Sequence, residues 1–407
     1  MKAIKYVSPK NWVKFNPPEL FEELSNAKAA VMSLKSIPYQ RRWVQEIQQI
    51  QLKMEVAGSS RIEGAEFVGN ELEVAIKAQS PEQLLTRSQK QANSAVKAYK
   101  WIAEIPDDKP IDEKLICDVH RLVVTDCDDD HCAPGRIREQ DHNITFGIPM
   151  HRGATGGEET AAALRQLAKE AHTNFRDCDP LIQALALHYH LVAIHPFGDG
   201  NGRTARILEA LLLQRASLKD SLFIAMSNYY YEEKATYLSS LSEVRARDYD
   251  LTPFLKFGLK GIAKQSERLM NLIKTQVSKE IFRNLMHDLF TRLQSTRKRV
   301  IVPRQLAILE KLLNMDGEIE YSQLADAVRD DYKKRKFPFQ AFLRDVAKLI
   351  VLGAIEMRHD ENDPKHTRTF LKINLEWPTT ITDTEFFARL EKLPKSKTYG
   401  FLTNYGR

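Results

Sequence analysis

Apolar residues recur every three or four positions along most of the first 295 residues, which is the spacing of one face of an α-helix. The pattern predicts helices from Glu19 to about Ile105, over residues 111–124, and from about residue 158 to 295. Residues 1–18 look extended and end in a Pro-Pro pair, which is typical of a helix start. We therefore expect a mostly α-helical fold.

Two segments interrupt this pattern. Between Ala133 and about Glu158, Gly, polar and β-branched residues predict a loop or a short β-hairpin inside the helical domain. The basic stretch RLQSTRKRV (292–300) is interpreted as a linker. Residues 301–376 then follow the order helix, short strand plus helix, helix and hairpin, with DENDPKHTR (360–368) as the hairpin tip. This order is that of a winged-helix domain.

Composition adds little to this picture. The 407 residues are 43% hydrophobic and 28% charged, which is ordinary for a soluble globular protein. A net charge of +6 does not by itself indicate a nucleic-acid partner. The N-terminus lacks the apolar core of a signal peptide, and no apolar run approaches the ~18–20 residues of a membrane span. We expect a cytoplasmic protein that has no membrane partner.

The cysteines are sparse and form no CxxC pair, so we interpret them as reduced thiols. They are Cys117, Cys127, Cys132 and Cys178. Cys127 and Cys132 flank His131 in the acidic run DCDDDHCAP, and a metal site is one interpretation of this run. A solvated acidic loop is favoured, because the second cysteine pair of a structural zinc site is missing.

The most polar glycine-rich segment, HPFGDGNGRTAR (195–206), directly follows the apolar stretch LIQALALHYHLVAI. Glycine reaches positive φ and lets backbone N–H groups approach a ligand closely. A helix N-terminus adds unpaired N–H donors and partial positive charge. Together these features predict an anion-binding site suited to phosphate. The chain has no GxxxxGK[ST] sequence, so this site is not a P-loop.

The side chains of the same segment also suit phosphate chemistry. Arg203 and Arg206 lie three positions apart, on one helical face, and both can donate forked hydrogen bonds to phosphate oxygens. Asp199 is a hard oxygen ligand for a Mg²⁺ ion that phosphates also hold, and His195 can act as a general base. The set favours phosphoryl or nucleotidyl transfer. The alternative is a helix–helix connector with a satisfied His and two surface arginines.

HPFGDGNGRTAR resembles the HxFx(D/E)GNGRxxR motif of the Fic family and matches it at every specified position. The stretches HYHLVAI and TYLSSL also resemble this family, and the resemblance covers about residues 20–280. It implies an all-helical domain with a small β-hairpin flap, in addition to the winged-helix-like α+β domain. Together with the pattern of helices and strands, it divides the chain into an N-terminal helical region (1–110), a Fic catalytic core (111–295), the winged-helix-like domain (300–376) and a tail (377–407). It also implies transfer of AMP from ATP to a protein hydroxyl, with release of pyrophosphate.

The resemblance implies a role for each residue of the motif. His195 would deprotonate the target Tyr, Ser or Thr hydroxyl, Phe197 would anchor the loop, and Asp199 would bind Mg²⁺ between the α- and β-phosphates. Arg203 would contact the β-phosphate and Arg206 the γ-phosphate, and Asn201 would stabilise charge in the transition state. The expected nucleotide-binding residues of the motif are Gly200, Asn201, Gly202, Arg203, Thr204, Ala205 and Arg206.

The flap is expected at about Asp141–Ala154, with the stretch from Ile144 to Gly147 facing the nucleotide and with the target held by β-augmentation. The sequence HRGATGG departs from the Pro-rich flap end of many relatives, and a plain surface loop is the alternative. Aromatic side chains that suit a purine lie where relatives build the adenine pocket, although each could instead pack between helices. They are Tyr229, Tyr230 and, as the first choice, Tyr237.

SSRIEG (Ser59–Gly64) is typical of a helix that ends in a Gly cap. Beside a Fic-like motif it also resembles the (S/T)xxxE(G/N) inhibitory helix of that family, with Ser59, Glu63 and Gly64 at the specified positions. This resemblance implies that Glu63 pairs with Arg206 and removes the γ-phosphate clamp. ATP would then bind in a pose unfit for in-line attack. We expect low activity that the substitution Glu63→Gly raises.

The C-terminal segment leaves other functions open. DDYKKRKFPFQAFLRDVAKL places basic residues before the presumed recognition helix, where they could contact DNA phosphates or serve a protein interaction. One alternative is therefore a DNA- or protein-binding regulator that uses the Fic-like site as a nucleotide sensor. Another is an enzyme that removes AMP or uses a different nucleotide. The target protein, self-modification and a homo-oligomer stay open.

Overall fold

A computed structural model gives the fold of the chain, which divides into two compact units, residues 1–273 and 274–407. It describes residues 3–37, 41–127, 132–140, 143–147, 149–217, 224–292, 303–315, 317–360, 368–380, 382, 384–385 and 388–389. Most of the described residues lie in helices, which confirms the expected fold class. No helix of the described ranges is both long enough and apolar enough to cross a membrane.

The first unit consists of helices and one small hairpin. Its helices are α1 (Pro17–Ser36), α2 (Arg41–Ile62), α3 (Glu71–Lys77), α4 (Arg87–Ala103), α5 (Glu113–Val124), α6 (Glu158–His172), α7 (Pro180–Ile194), α8 (Asn201–Ser217), α9 (Met226–Glu232), α10 (Lys234–Ala246) and α11 (Thr252–Arg292), which continues into the second unit; short 3₁₀ turns lie at Pro81–Gln83 and Asn174–Asp177. Within the region predicted to be helical from Glu19 to about Ile105, α4 begins at Arg87, because Thr86 and Gln89 form a capping box there.

One apolar core serves the whole first unit. Leu20 on α1, Val56 on α2 and Leu185 on α7 belong to the same buried cluster. Since an amphipathic helix must bury its apolar stripe against another element, α1 and α2 depend on the central helices for their packing. Residues 1–110 and the expected catalytic core therefore share this apolar core, and the division between them stays a prediction.

The predicted hairpin is present as β1 (Thr145–Phe146) paired antiparallel with β2 (His151–Arg152). The N-terminal Ile4 lies parallel to β2, where its N–H donates to the Met150 carbonyl at 2.9 Å and its carbonyl accepts from the Arg152 N–H at 2.8 Å. One edge of the hairpin is thus covered by the chain itself. Three positions of the expected flap, 141, 142 and 148, lie outside the described residues.

The second unit has the predicted order of helix, short strand plus helix, helix and hairpin. Its elements are α12 (Pro303–Leu313), β3 (Ile319–Glu320), α13 (Tyr321–Ala327), α14 (Arg329–Tyr332), α15 (Pro338–Leu352), β4 (Ile355–His359), β5 (Thr369–Ile373) and α16 (Trp377–Thr380). The strands form an antiparallel sheet in the order β3-β5-β4. Positions 293–300 of the expected linker and 361–367 of the hairpin tip lie outside the described residues.

The boundaries of this unit differ from the expected ones. The division at residues 273 and 274 falls inside α11, well before the linker expected at 292–300. Phe282 near the end of α11 contacts Trp377, with the ring centroids 5.3 Å apart. Trp377 is buried, and its indole N–H donates to the Leu352 carbonyl at 2.9 Å. The segment expected to be a tail from residue 377 therefore begins inside the core.

Candidate active site

His195 lies at the C-terminal end of α7, in the left-handed conformation with φ 54° and ψ 60°. The buried helix holds this end rigidly, and the His195 N–H donates to the Leu191 carbonyl at 3.0 Å. From another part of the chain, Arg138 Nε donates to the His195 carbonyl at 2.8 Å. Arg138 also donates through Nη2 to the Ala154 carbonyl at 2.7 Å. The backbone of His195 is thus fixed by contacts from two directions.

The imidazole of His195 is in the neutral form at pH 7. It stacks on the ring of Phe146 in the hairpin, with centroids 4.2 Å apart and an interplanar angle of 13°. Burial, followed by the nearby positive charge of Arg138, lowers the pKa of His195 to about 4. A neutral imidazole can accept a proton, as a general base must.

The loop after His195 is closed by hydrogen bonds between Asn201 and Phe197. Asn201 Oδ1 accepts from the Phe197 N–H, and Asn201 Nδ2 donates to the Phe197 carbonyl, both at 2.9 Å. Phe197 is fully buried, as expected for a residue that anchors the loop. Both polar ends of the Asn201 amide are thus engaged in closing the loop.

His120 on α5 is a residue of the site that sequence reasoning missed. Its ring stacks on Phe197 with centroids 3.7 Å apart. The Gly135 N–H donates to Nδ1 at 3.0 Å, so Nε2 carries the hydrogen and donates to the Asp199 carbonyl at 3.0 Å. Burial lowers the pKa of His120 to about 4, which keeps it neutral. Its position on the buried face of an amphipathic helix marked it only as a core residue.

The first turn of α8 leaves little space for side chains. Gly200 has φ +73°, and a Cβ there would lie 2.7 Å from Val124 Cγ1. A Cβ on Gly202 would lie 2.7 Å from Glu63 Oε1. Thr204 donates to the Gly200 carbonyl at 2.9 Å and is fully buried, as is Ala205. These two residues therefore secure the start of the helix from within the core.

Asp199 and Arg203 form an ion pair beside this turn. Arg203 is buried and donates through Nη2 to Asp199 Oδ2 at 2.9 Å, while Arg87 approaches the same oxygen at 3.9 Å. The Asp199 side chain keeps 41% of its surface exposed. Burial would raise the pKa of Asp199, but Arg203, the Gly200 N–H and Arg87 together lower it. The carboxylate is therefore ionised and accessible at neutral pH.

The predicted contact between Glu63 and Arg206 is present. Arg206 Nη2 donates to Glu63 Oε1 at 2.6 Å, and Nε donates to Ser59 Oγ at 3.0 Å. Burial would lower the pKa of Arg206, but Glu63 and other neighbours raise it. Gly64 follows with φ +89°, and its N–H donates to the Arg61 carbonyl at 3.1 Å, which is the expected Gly cap of α2.

A cavity of about 220 Å³ lies between α2, α7, α8, α10 and the hairpin. Of the residues expected from the sequence, those that line it are Glu63, Gly147, His195, Gly202, Arg206 and Tyr237. Phe146, which belongs to the stretch expected to face the nucleotide, also lines it, and the lining residues that the sequence did not indicate include His151, Tyr189, Lys234 and Arg245. The cavity therefore joins an ion-paired end, at Glu63 and Arg206, to an end with aromatic and aliphatic walls.

Tyr229, Tyr230 and Ile144 do not line this cavity, and their expected role in nucleotide binding stays a prediction. Tyr230 is fully buried and donates to Glu209 Oε1 at 2.8 Å. Tyr229 stacks on Phe257 with centroids 4.9 Å apart. Both rings therefore pack between helices, which was the alternative. Ile144 contributes its carbonyl to the hairpin by accepting the Gly153 N–H at 3.2 Å.

A chain of buried polar groups positions Tyr237. Its hydroxyl lies 2.9 Å from His188 Nε2, and His188 Nδ1 contacts Glu209 Oε2. When Nδ1 donates to the Glu209 carboxylate, Nε2 is left to accept the Tyr237 O–H. The phenol oxygen is then free to accept a hydrogen bond from Arg206, with which it interacts. Tyr237 thus connects the wall of the cavity to Arg206.

All four cysteines are free, and Cys127 and Cys132 are buried. The expectation of a solvated loop is therefore wrong for these two thiols, since Cys127 donates to Ser94 Oγ at 3.3 Å and Cys132 lies 3.4 Å from His120 Nε2. Within the described ranges, no group of three or more His, Cys, Asp or Glu residues is placed to hold a metal. His131 lies outside the described residues.

One segment of the chain is similar to a known protein family. Residues 110–213 match the model of the Fic/DOC family. This segment includes α5, the hairpin, α7 and most of α8, and hence the loop that carries His195. The similarity to the Fic/DOC family is therefore carried by this segment.

Relatives with similar sequences carry the name protein adenylyltransferase. Protein adenylyltransferase fic-1 of Caenorhabditis elegans is 35% identical over 97 residues, which are 24% of this chain and 18% of that protein. Protein adenylyltransferase Fic of Aedes aegypti is 38% identical over 93 residues, which are 23% of this chain and 16% of that protein. The chain thus matches less than a fifth of the length of these relatives.

Solved structures share the fold. A Fic family protein from Desulfovibrio desulfuricans superposes with a TM-score of 0.55 at 16% identity, over 91% of this chain and 98% of that one. Fic-1 of C. elegans superposes with a TM-score of 0.52 at 21% identity, over 63% of this chain and 73% of that one. These similarities extend the shared fold beyond the segment that the sequence comparison matches.

Proposed function

We propose that the protein is a protein adenylyltransferase, which transfers AMP from ATP to a Tyr, Ser or Thr hydroxyl of a protein and releases pyrophosphate. The observation that carries the proposal is that a neutral His195 and the cationic Arg206 line one cavity at the N-terminus of α8. The matched relatives that carry the name adenylyltransferase support the same activity.

In this mechanism, His195 accepts the proton of the target hydroxyl as the hydroxyl oxygen bonds to the α-phosphorus. The bond from the α-phosphorus to the bridging oxygen breaks, and pyrophosphate leaves. The backbone N–H groups at the start of α8, near Gly202, stabilise the charge on the phosphates. Asn201 acts through the loop that it closes, and Arg206 binds the γ-phosphate.

Asp199 fits the Mg²⁺ ion that this reaction uses. Mg²⁺ is commonly held by one or two carboxylates together with substrate phosphates and water. Asp199 offers one accessible, ionised carboxylate beside the α8 turn, and such a site needs no further protein ligand. When bound, the ion would neutralise phosphate charge, and Arg203 would orient Asp199.

We further propose that Glu63 restrains the enzyme. Its carboxylate lies against Arg206 and against the position of a Cβ on Gly202, at the N-terminus of α8. A helix N-terminus attracts anions, so Glu63 occupies the place of a phosphate group. While Glu63 stays there, the triphosphate lacks its clamp and the α-phosphorus is poorly aligned with the attacking hydroxyl.

The test is incorporation of AMP from α-labelled ATP by the wild type and by Glu63→Gly, His195→Ala and the double variant. We expect little label with the wild type, strong incorporation with Glu63→Gly, and none once His195 is replaced.

Glu66→Gly is the matched control, because Glu66 is an exposed carboxylate in the same segment. Equal incorporation by the wild type and Glu63→Gly would overturn the restraint, and labelling without His195 would overturn the mechanism. Labelled target losing AMP would instead indicate the de-AMPylating alternative.

The second unit supports a second candidate function, that of a DNA- or protein-binding regulator. We propose that it is a winged helix, because the order of its elements and its β3-β5-β4 sheet are those of that domain. The residues before α15, Lys333–Lys336, are exposed and basic. Phosphate contacts by such residues predict DNA binding that weakens steeply with salt. A gel shift with salt titration tests this, and retention of DNA binding at high salt would exclude phosphate contacts as the basis of that binding. The expected cytoplasmic location and a homo-oligomer stay predictions.

A further inference from the structure

Lys234 is the first residue of α10, and it lines the cavity together with Glu63, Arg206 and Tyr237. Neither the motif nor the spacing of the sequence indicated it. We propose that Lys234 binds the terminal phosphate of the nucleotide beside Arg206. This inference rests on the proposed adenylyltransferase function and adds a second cation to its phosphate site.

The contact of Lys234 in this structure is with the end of α2. Lys234 Nζ donates to the Ile62 carbonyl at 2.8 Å. Ile62 is the last residue of α2, where backbone carbonyls have no partner within the helix and carry partial negative charge. A lysine ammonium has three donors, and this contact uses one of them. Two N–H groups are therefore available to a ligand in the cavity.

The positive charge of Lys234 has no carboxylate counterpart. The preceding residues Glu232 and Glu233 pair with Lys264 on α11, at 3.6 and 3.8 Å. Glu63 is committed to Arg206. Across the described part of the chain, no carboxylate lies within ion-pair distance of Lys234. Among the residues that the structure describes, the Lys234 ammonium donates to the carbonyl end of α2.

A triphosphate supplies the missing negative charge. Arg203 is already paired with Asp199 and does not line the cavity, so Arg206 is the only one of the two motif arginines that faces the ligand. Lysine binds phosphate well as a compact point charge. Two phosphate-binding cations therefore contact the end of α2: Arg206 pairs with the Glu63 carboxylate, and Lys234 donates to the Ile62 carbonyl.

Nucleotide affinities measured by calorimetry in the Glu63→Gly background test the proposal. Lys234→Met should weaken ATP binding by about tenfold, the usual effect of one charge-assisted hydrogen bond, and should change AMP binding less than twofold. Lys234→Arg should restore most of the ATP affinity. Lys169→Met, which removes an exposed lysine of α6, is the matched control and should change neither affinity.

An equal effect on ATP and AMP, or no effect on either, would overturn the proposal and leave Lys234 as a cap of α2. If Glu63→Gly binds no ATP at all, the proposed function fails, and the inference fails with it. If Glu63→Gly binds ATP and the added substitution Lys234→Met does not weaken that binding, the inference about Lys234 fails while the proposed function stands. Should Lys234→Met prove unstable in thermal unfolding, Lys234→Gln provides the same comparison with a neutral polar side chain.

Discussion

Glu63 and Gly202 share one small volume: a Cβ on Gly202 would lie 2.7 Å from Glu63 Oε1, the oxygen that also contacts Arg206 Nη2 at 2.6 Å. The absence of a side chain at residue 202 therefore lets a carboxylate reach the first turn of α8. The same space would admit a phosphate group in the proposed reaction. One glycine thus serves both the proposed resting state and the proposed active state.

Ser59 should contribute to the restraint, because its hydroxyl accepts from Arg206 Nε at 3.0 Å. Ser59→Ala removes one hydrogen bond to a charged group and should raise AMP incorporation several-fold, but less than Glu63→Gly. Ser60→Ala is the control, since Ser60 is also buried on α2 but does not contact Arg206 through its side chain. Labelling rates of the three variants are compared, and an unchanged rate in Ser59→Ala would contradict this role.

Docking of α2 should depend on pH through Glu55. This carboxyl group is buried on the same stripe of α2 as Ser59 and Glu63, and its Oε2 accepts from the Ser227 N–H at 2.8 Å. Burial raises the pKa of Glu55 to about 8, with Glu209 adding to the shift and Ser227 and Arg206 opposing it. The docked helix therefore binds a proton that the undocked helix, with an ordinary pKa of about 4.3, releases.

The sign follows from linkage: the docked state is favoured at low pH and loses stability as the pH rises from about 4.3 to about 8. The free energy of unfolding of the wild type should fall over this range, and Glu55→Gln should flatten the dependence because it does not titrate. Denaturant unfolding between pH 5 and 9 measures both. If the free energy of unfolding depends on pH in the same way in both proteins, the pKa of Glu55 does not change on docking.

His120 should position the loop that carries Asp199 without binding substrate itself. His120→Phe keeps an aromatic ring against Phe197 but removes the hydrogen bonds to the Asp199 carbonyl and the Gly135 N–H. In the Glu63→Gly background we expect kcat to fall about tenfold, with a smaller change in KM for ATP. His172→Phe on α6 is the control. A loss of kcat that simply parallels a loss of folded protein, measured by thermal unfolding, would contradict a positioning role.

Gly200 should be intolerant of substitution. An alanine at position 200 would have to adopt the left-handed φ of +73°, and its Cβ would lie 2.7 Å from Val124 Cγ1. Gly69 has a comparable φ of +58° but open space around its Cβ position. Gly69→Ala should therefore cost about 1–2 kcal/mol for the left-handed backbone, and Gly200→Ala more, by the added steric clash. Equal losses of unfolding free energy in the two variants would show that the Val124 side chain moves aside at no energetic cost.

The sequence by itself determined the features that depend on local spacing. The motif from His195 to Arg206, the Gly cap after Glu63, the short hairpin and most helices could be predicted, because helical periodicity and turn chemistry act over a few residues. The pairing of Glu63 with Arg206 was also expected, but only through resemblance to a family.

The tertiary structure alone decided which distant residues meet. His120, Arg138 and Lys234 reach the site from three different parts of the chain, and Glu55 is buried against Ser227; nothing in their local sequence distinguishes them from core or surface residues. It also decided that Tyr229 and Tyr230 pack between helices while Tyr237 faces the cavity, and that α1 and α2 share the central core. The physical reason is that burial, desolvation and hydrogen bonding between separate elements are set by three-dimensional packing, which one-dimensional spacing does not encode.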